Sequence, residues 1–402
     1  MAKAEKLNHR QYFATQIYYI CTENFGIMKH TILYFFALVA TIAFSACQSP
    51  EMEIKWDDAT RQFVSGGVYA RIKPVGERFA LVYSAGPAAY IRWSDDKCTT
   101  WSEPQRVAQA AGYNYTNCEI LELSNGTLLY MWNARPHADS GLPYKIMIAT
   151  SDDKGLTWLE QTIYTASTNA SEGCWEPVAI ELPDGEVQLY FANEFPYKSS
   201  DEQEITLLRS FDKGKTWSQP EAISMRKGSR DGMPVPIYLP HRKEIAVAIE
   251  DNGIRGLFKP VVVRSDKNWT DGTVSGNDAR REEALAAEWQ LHDTIYAGAP
   301  YLIQLGKSHT VLSIQSTEGR KGRDHQYANM QVYVGDKDAR NFRNRTTPMP
   351  QISANGNALW NSICAIDSHR VIAAMSVVGA PDDKNGIWTV IGELSEINYS
   401  ED

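Results

Sequence analysis

Basic clusters are missing from this 402-residue chain: 40 Lys and Arg stand against 49 Asp and Glu, for a net charge of −9. An acidic balance without a basic run excludes nucleic acid as a partner. Cysteine is scarce at six residues, and no C-x-x-C or similar ligand spacing occurs. Neither a metal site nor a cofactor is therefore expected. Four cysteines, Cys98, Cys118, Cys174 and Cys364, lie beyond the N-terminal region, and their spacing leaves any pairing open. Long apolar runs are absent too, apart from the 16 residues from Thr31 to Ala46. That run is too short for a comfortable membrane span and is the right size for a secretory core.

The run follows a basic head, Lys29-His30, and ends Phe44-Ser45-Ala46-Cys47. Small residues directly before a cysteine resemble a bacterial lipoprotein box, which implies cleavage and lipidation at Cys47. Residues 28–47 then form a lipoprotein signal peptide, Met28 is the start, and residues 1–27 are an upstream over-extension. An uncleaved anchor helix is the competing reading. The polar, acidic stretch 48–60 is expected to be a tether and 61–402 the folded domain. The expected place is the bacterial cell envelope, as a monomer that meets the membrane through its lipid only.

Aromatic residues are plentiful, with 11 Trp and 20 Tyr, which suits a β-rich protein that handles sugars. The chain also repeats itself. The octet Ser-x-Asp-x-Gly-x-Thr-Trp occurs at Ser151 to Trp158 and at Ser210 to Trp217, and with Cys98 in the glycine place at Ser94 to Trp101. The copies start 57 and 59 residues apart, and a steady period of this size means one supersecondary unit used repeatedly. In each octet the Asp can accept turn N–H groups, Gly takes a positive φ, and Trp folds back between strands. The octet resembles the Asp-box repeat of sialidase-type β-propellers, which implies a folding device remote from any active site.

From residue 60 onward, strand, tight turn, strand and third strand recur. Asn125-Gly126 and Asp184-Gly185 are dipeptides that two-residue hairpins prefer. Six such units fit before the C-terminus, which predicts an all-β, six-bladed propeller of four-stranded antiparallel blades. Ser265 to Trp269 reads as a decayed octet, and Asp271 to His292, rich in Ala and Glu, as a short surface helix.

Blade strands run A to D outward from the axis, so starts of A and ends of B share one face with the B–C loops. The octets, at C–D turns, occupy the other face. Function is expected at the first face, near the channel. This filter selects Arg71 in blade one, and Asn117, Asn133 and Arg135 in blade two. In blade three it selects Trp175, Glu176, Asn193 and Glu194; in blade four, Arg230, Asp231 and Glu250. Blade five's B–C loop adds Arg320, Arg323, His325 and Tyr327. Paired carboxylates such as Glu176 and Glu250 are what glycoside hydrolysis requires, one to donate a proton and one to attack or to activate water. The Trp175 and Pro177 neighbours of Glu176 predict partial burial, which can keep one carboxyl protonated.

Cys174-Trp175-Glu176-Pro177, the run Glu181 to Glu194, Arg230-Asp231-Gly232-Met233-Pro234 and Ala248 to Asn252 resemble the exo-arabinanases of glycoside hydrolase family 93. The resemblance spans residues 64–395. It implies a retaining enzyme that releases arabinobiose from linear α-1,5-arabinan, with Glu176 as nucleophile and Glu250 as acid/base. Arg71, Asn117, Trp175, Asn193, Asp231 and Tyr327 are the expected substrate contacts. Tyr327 is preferred over Tyr333 as the family's active-site tyrosine. Two rivals stand beside this reading. An exo-sialidase would need three arginines clamping a carboxylate, with Arg71, Arg230, Arg255, Arg320 and Arg323 as candidates. A non-catalytic glycan-binding propeller would bind without turnover.

Overall fold

The computed structural model describes residues 50–380 and 382–397, so the expected signal peptide, 28–47, and its Cys47 lie outside the described residues. The chain forms six four-stranded antiparallel sheets arranged as the blades of a propeller. The A and B strands are Val68–Val75 and Arg78–Ala85 in blade one, Tyr113–Glu122 and Leu128–Pro136 in blade two, and Cys174–Glu181 and Val187–Asn193 in blade three. Those of blade four are Asp231–Leu239 and Glu244–Arg255, those of blade five Ala297–Leu305 and His309–Ser316, and those of blade six Asn357–Ala365 and Arg370–Val378. B strands such as Val187–Asn193 are buried along their whole length, because blades pack on both faces, and they read as nearly continuous apolar runs.

Two expectations need correcting. The stretch from 48 to 60 is not a tether throughout: Met52–Ser65 is the outermost strand of blade six and pairs with Gly386–Glu396, the C strand of that blade. Its exposed side is polar because it is a sheet edge, while Ile54 is 1% exposed in the core. Nor is the segment 271–292 a helix. It supplies Arg281–Glu283, the D strand of blade four, and a single 3-10 turn, Ala287–Trp289.

The octets join C to D strands, as the repeat implies. Asp153 Oδ1 accepts from the N–H of Leu156 (3.0 Å) and Thr157 (2.9 Å), its Oδ2 accepts from the Thr157 hydroxyl (2.6 Å), and Gly155 N–H donates to Ser151 Oγ (2.8 Å). These donors favour the ionised form and pull the Asp153 carboxyl down to about 2. Asp96 and Asp212 repeat the pattern. In the decayed copy Trp269 N–H still donates to Ser265 Oγ (2.8 Å), with Trp269 itself at φ 67 in the glycine place.

A second repeat has no sequence signature. Every A strand carries a register shift against its B strand near the channel. At each one a non-glycine residue holds positive φ: Tyr69 (58), Asn117 (56), Glu176 (54), Met233 (52), Ala299 (47) and Trp360 (52). A β-bulge adds one residue and re-aims side chains, at a cost in backbone strain. Beneath this collar the channel is filled. Tyr301 of blade five donates its hydroxyl to Glu119 of blade two (2.8 Å), and both are nearly fully buried.

Candidate active site

Glu176 is the bulge residue of blade three, and Glu250 lies on the B strand of blade four opposite Gly232. Both line one cleft of about 250 Å³ together with Arg135, Trp175, Glu194, Gln203, Arg230 and Phe258. Each carboxylate is held by the backbone of the following blade's bulge. Met233 N–H donates to Glu176 Oε2 (3.3 Å), and Ala299 N–H donates to Glu250 Oε2 (2.7 Å). The same position on the B strands of blades five and six holds Gln315 and Ser376, which accept from Trp360 N–H (2.9 Å) and Tyr69 N–H (2.9 Å). Acceptors for bulge N–H groups are thus part of the fold, and blade four uses a carboxylate for the purpose.

Glu250 rests between two glycines. A methyl group added at Gly232 would crowd its Oε1, and one added at Gly298 would overlap its Oε2. Absence of Cβ atoms is what lets the carboxylate lie against backbone. Both glutamates keep a face toward the cleft while protein surrounds the rest. Burial raises Glu176 to about 7, against the opposing pull of Arg135, the Met233 N–H and Arg230. Burial raises Glu250 further, to about 8, helped by the charge of Glu176 and opposed by the Ala299 N–H. The pair therefore holds a proton near neutrality, with Glu250 the stronger claimant.

Of the other sequence-selected residues, Trp175 lines the cleft with Arg135 stacked 4.6 Å over its ring. Asn117 sits in the collar and accepts from Arg135 Nη2 (3.2 Å). Four lie elsewhere. Arg71 is 2% exposed and donates to the carbonyls of Ala70, Trp360 and Asn361, so it ties blade one to blade six. Asn193 is buried on Tyr164 and Thr206, and its neighbour Glu194 faces the cleft, paired with Arg230. Asp231 is fully buried against Arg281 (2.6 Å) and Ser224 (2.6 Å). Tyr327 lies in the 3-10 turn His325–Tyr327 with its ring over Gly322, outside the cleft lining. Tyr333, the other candidate, is buried on Gln331.

Three residues were not singled out by sequence. Gln203 and Phe258 flank the B–C loops of their blades. Tyr296 immediately precedes the A strand of blade five, and its hydroxyl overlaps the same Gly298 space as Glu250 Oε2. It is missed if that strand is started at Pro300, where proline suggests a strand beginning.

A BNR-type six-bladed propeller with a pair of glutamates at its mouth is the class that this fold and site define. The family model of the BNR repeat-like domain matches residues 74–232 and, in an overlapping match, 126–273. No curated protein matches the sequence. Among solved structures, the chain is similar to a protein of unknown function from Dyadobacter fermentans, at 13% identity and TM-score 0.62 over 87% of this chain and 99% of that one. It is also similar to the family 93 α-L-arabinofuranosidase of Fusarium graminearum in complex with arabinobiose, at 17% identity and TM-score 0.58 over 85% and 94%. A third is the Penicillium chrysogenum α-L-arabinanase complexed with arabinobiose, at 13% identity and TM-score 0.56 over 87% and 98%. At these identities the likeness establishes the shared fold, and function rests on the site.

Proposed function

We propose that this protein is a retaining glycoside hydrolase that removes short arabinose units from the end of an α-1,5-linked arabinan, exported as a lipid-anchored envelope protein. The observation that carries the proposal is the Glu176–Glu250 pair: two carboxyls from adjacent blades share one cleft, and burial raises both so that the pair keeps a proton near neutrality. Glu250, in the acid/base place that the family 93 resemblance implies, donates to the leaving glycosidic oxygen. Ionised Glu176 attacks the anomeric carbon and forms a glycosyl ester. Glu250 then takes a proton from water, and that water displaces Glu176.

The arginine arrangement weighs against a sialidase. Of the five arginines considered for a carboxylate clamp, Arg230 alone lines the cleft. Arg71 is buried, Arg255 pairs with Glu283 (2.9 Å), and Arg320 is spent on the carbonyls of Tyr327, Ser353 and Gly356. The test is incubation of the mature protein with debranched arabinan and, separately, with sialyllactose, with products resolved by chromatography. Disaccharide release from arabinan alone is expected, and Glu176→Gln should abolish it. Sialic acid release would replace this reading with the sialidase. No release from either by a folded sample would leave a glycan-binding propeller.

A further inference from the structure

The collar holds one polar group that the two-carboxylate scheme does not use. The hydroxyl of Tyr296 accepts a hydrogen bond from Gln315 Nε2 (2.8 Å), while Gln315 Oε1 accepts from the backbone N–H of Trp360 (2.9 Å). The second bond fixes the orientation of the amide, because only its oxygen can accept from an N–H. The NH₂ group must then face the tyrosine, whose oxygen acts as acceptor there. Its own proton is left to point elsewhere. An added methyl at Gly298 would lie 2.3 Å from Glu250 Oε2 and 2.5 Å from the Tyr296 hydroxyl, so both oxygens border one space over that glycine. Gln315 occupies in blade five the place that Glu250 occupies in blade four. One repeat position thus supplies the carboxylate, and the next holds a hydroxyl at the edge of the same space.

We propose that Tyr296, oriented by Gln315, is a positioning residue whose hydroxyl donates to Glu250 once that carboxylate has lost its proton. The inference rests on the assignment of Glu250 as acid/base. Burial and the nearby negative charges of Glu250, Glu176 and Asp324 hold the phenol protonated, which keeps it a donor. The other groups facing this pair are Arg230, whose charge favours ionised Glu250, and His325, whose ring lies 6.2 Å from that of Tyr296. A donor to the anion stabilises Glu250 once its proton has gone to the leaving oxygen, and the bond from Gln315 Nε2 holds the phenol oxygen in place.

The test compares Tyr296→Phe with the parent. The alkaline limb of the arabinan rate profile, which reports loss of the Glu250 proton, should move up by about one pH unit. The rate constant kcat should fall roughly tenfold with KM little changed. An aryl glycoside of the same sugar, whose leaving group needs little acid help, should lose much less. Gln315→Met, which keeps the hydroxyl but frees it to rotate, should shift the limb in the same direction by a smaller amount. Carboxyl carbon NMR titration of Glu250 in both proteins reads the same shift without turnover. An alkaline limb and a Glu250 titration unchanged in folded Tyr296→Phe would overturn the inference while leaving the hydrolase intact. Should the parent hydrolyse nothing, the NMR titration still decides it.

Discussion

A single carboxyl, Glu250, shows how this site uses burial. In the unfolded chain it titrates near 4.5, and in the fold at about 8, with Glu176 beside it at about 7. Between those values the folded state binds more protons than the unfolded one, so stability is fully present below about pH 4.5 and declines as pH rises through 7 and 8. The open face of each side chain moderates the slope, since cleft water screens part of the charge. Glu250→Gln keeps an acceptor for the Ala299 N–H and removes the ionisation. Its Tm should fall less than the parent's between about pH 5 and pH 8.5, and the variant should melt above the parent at the alkaline end. Parallel melting curves in calorimetry across that range would show that the carboxyl is not held up as described. The same neighbourhood shows what a sequence can tell about single residues. Strand alternation sends Asn193 and Glu194 to opposite sides, and it is Glu194, one residue past the B strand, that lines the cleft while Asn193 is buried on Tyr164 and Thr206.

The two repeated devices differ in how they are encoded. The octet is local: its acceptor, donors and glycine lie within eight residues, so the turn can be read from Ser151 to Trp158 directly, and three copies mark three blades. The bulge is not local. Tyr69, Asn117, Glu176, Met233, Ala299 and Trp360 share no side-chain chemistry, because what is repeated is a positive-φ backbone, which at Tyr69, Met233, Ala299 and Trp360 offers its N–H to an acceptor on the preceding blade. Hence the carboxylate pair could be found by asking which residues end up on one face, whereas Tyr296, Gln315 and the glycine cradle could not. Separating the devices is possible at the turn glycines. Gly155 has φ +86, and a Cβ there would lie 2.8 Å from Trp93 Cζ2, whereas Gly126 has φ +87 with nothing within 4 Å. Left-handed strain alone should make Gly126→Ala cost about 1 kcal/mol, and the added overlap should bring Gly155→Ala to about 2–3 kcal/mol. Chemical denaturation measures both. Turnover by the folded fraction should be unchanged in each, because these turns lie on the face away from Glu176. Equal costs would mean that the Trp93 ring yields freely.

Ring closure is the property of the whole chain that sequence reading lost. A polar, partly charged segment following an apolar run looks like a tether, and nothing local in Met52–Ser65 announces a partner more than three hundred residues away. The structure pairs Met52 with Glu396 and Ser65 with Ile387, around a break between Asp57 and Gln62. Thus blade six joins both ends of the folded domain, its inner three strands from the C-terminal side and its outer strand from the N-terminal side. Trp56 reaches further, donating its indole N–H to Thr346 in blade five (3.0 Å). Without that strand, Gly386–Glu396 becomes a long sheet edge with unpaired backbone groups, and Ile54 no longer fills the core between blades five and six. Chains starting at residue 50 and at residue 66 therefore should behave differently. The first should unfold in one cooperative transition at the temperature of the full chain. The second should lose more than about 10 °C of Tm or its cooperative transition altogether, and should associate through the exposed edge. Scanning calorimetry with light scattering reads both effects. Identical melting of the two chains would show that the other five blade contacts close the ring unaided and that the outer strand is only a covering.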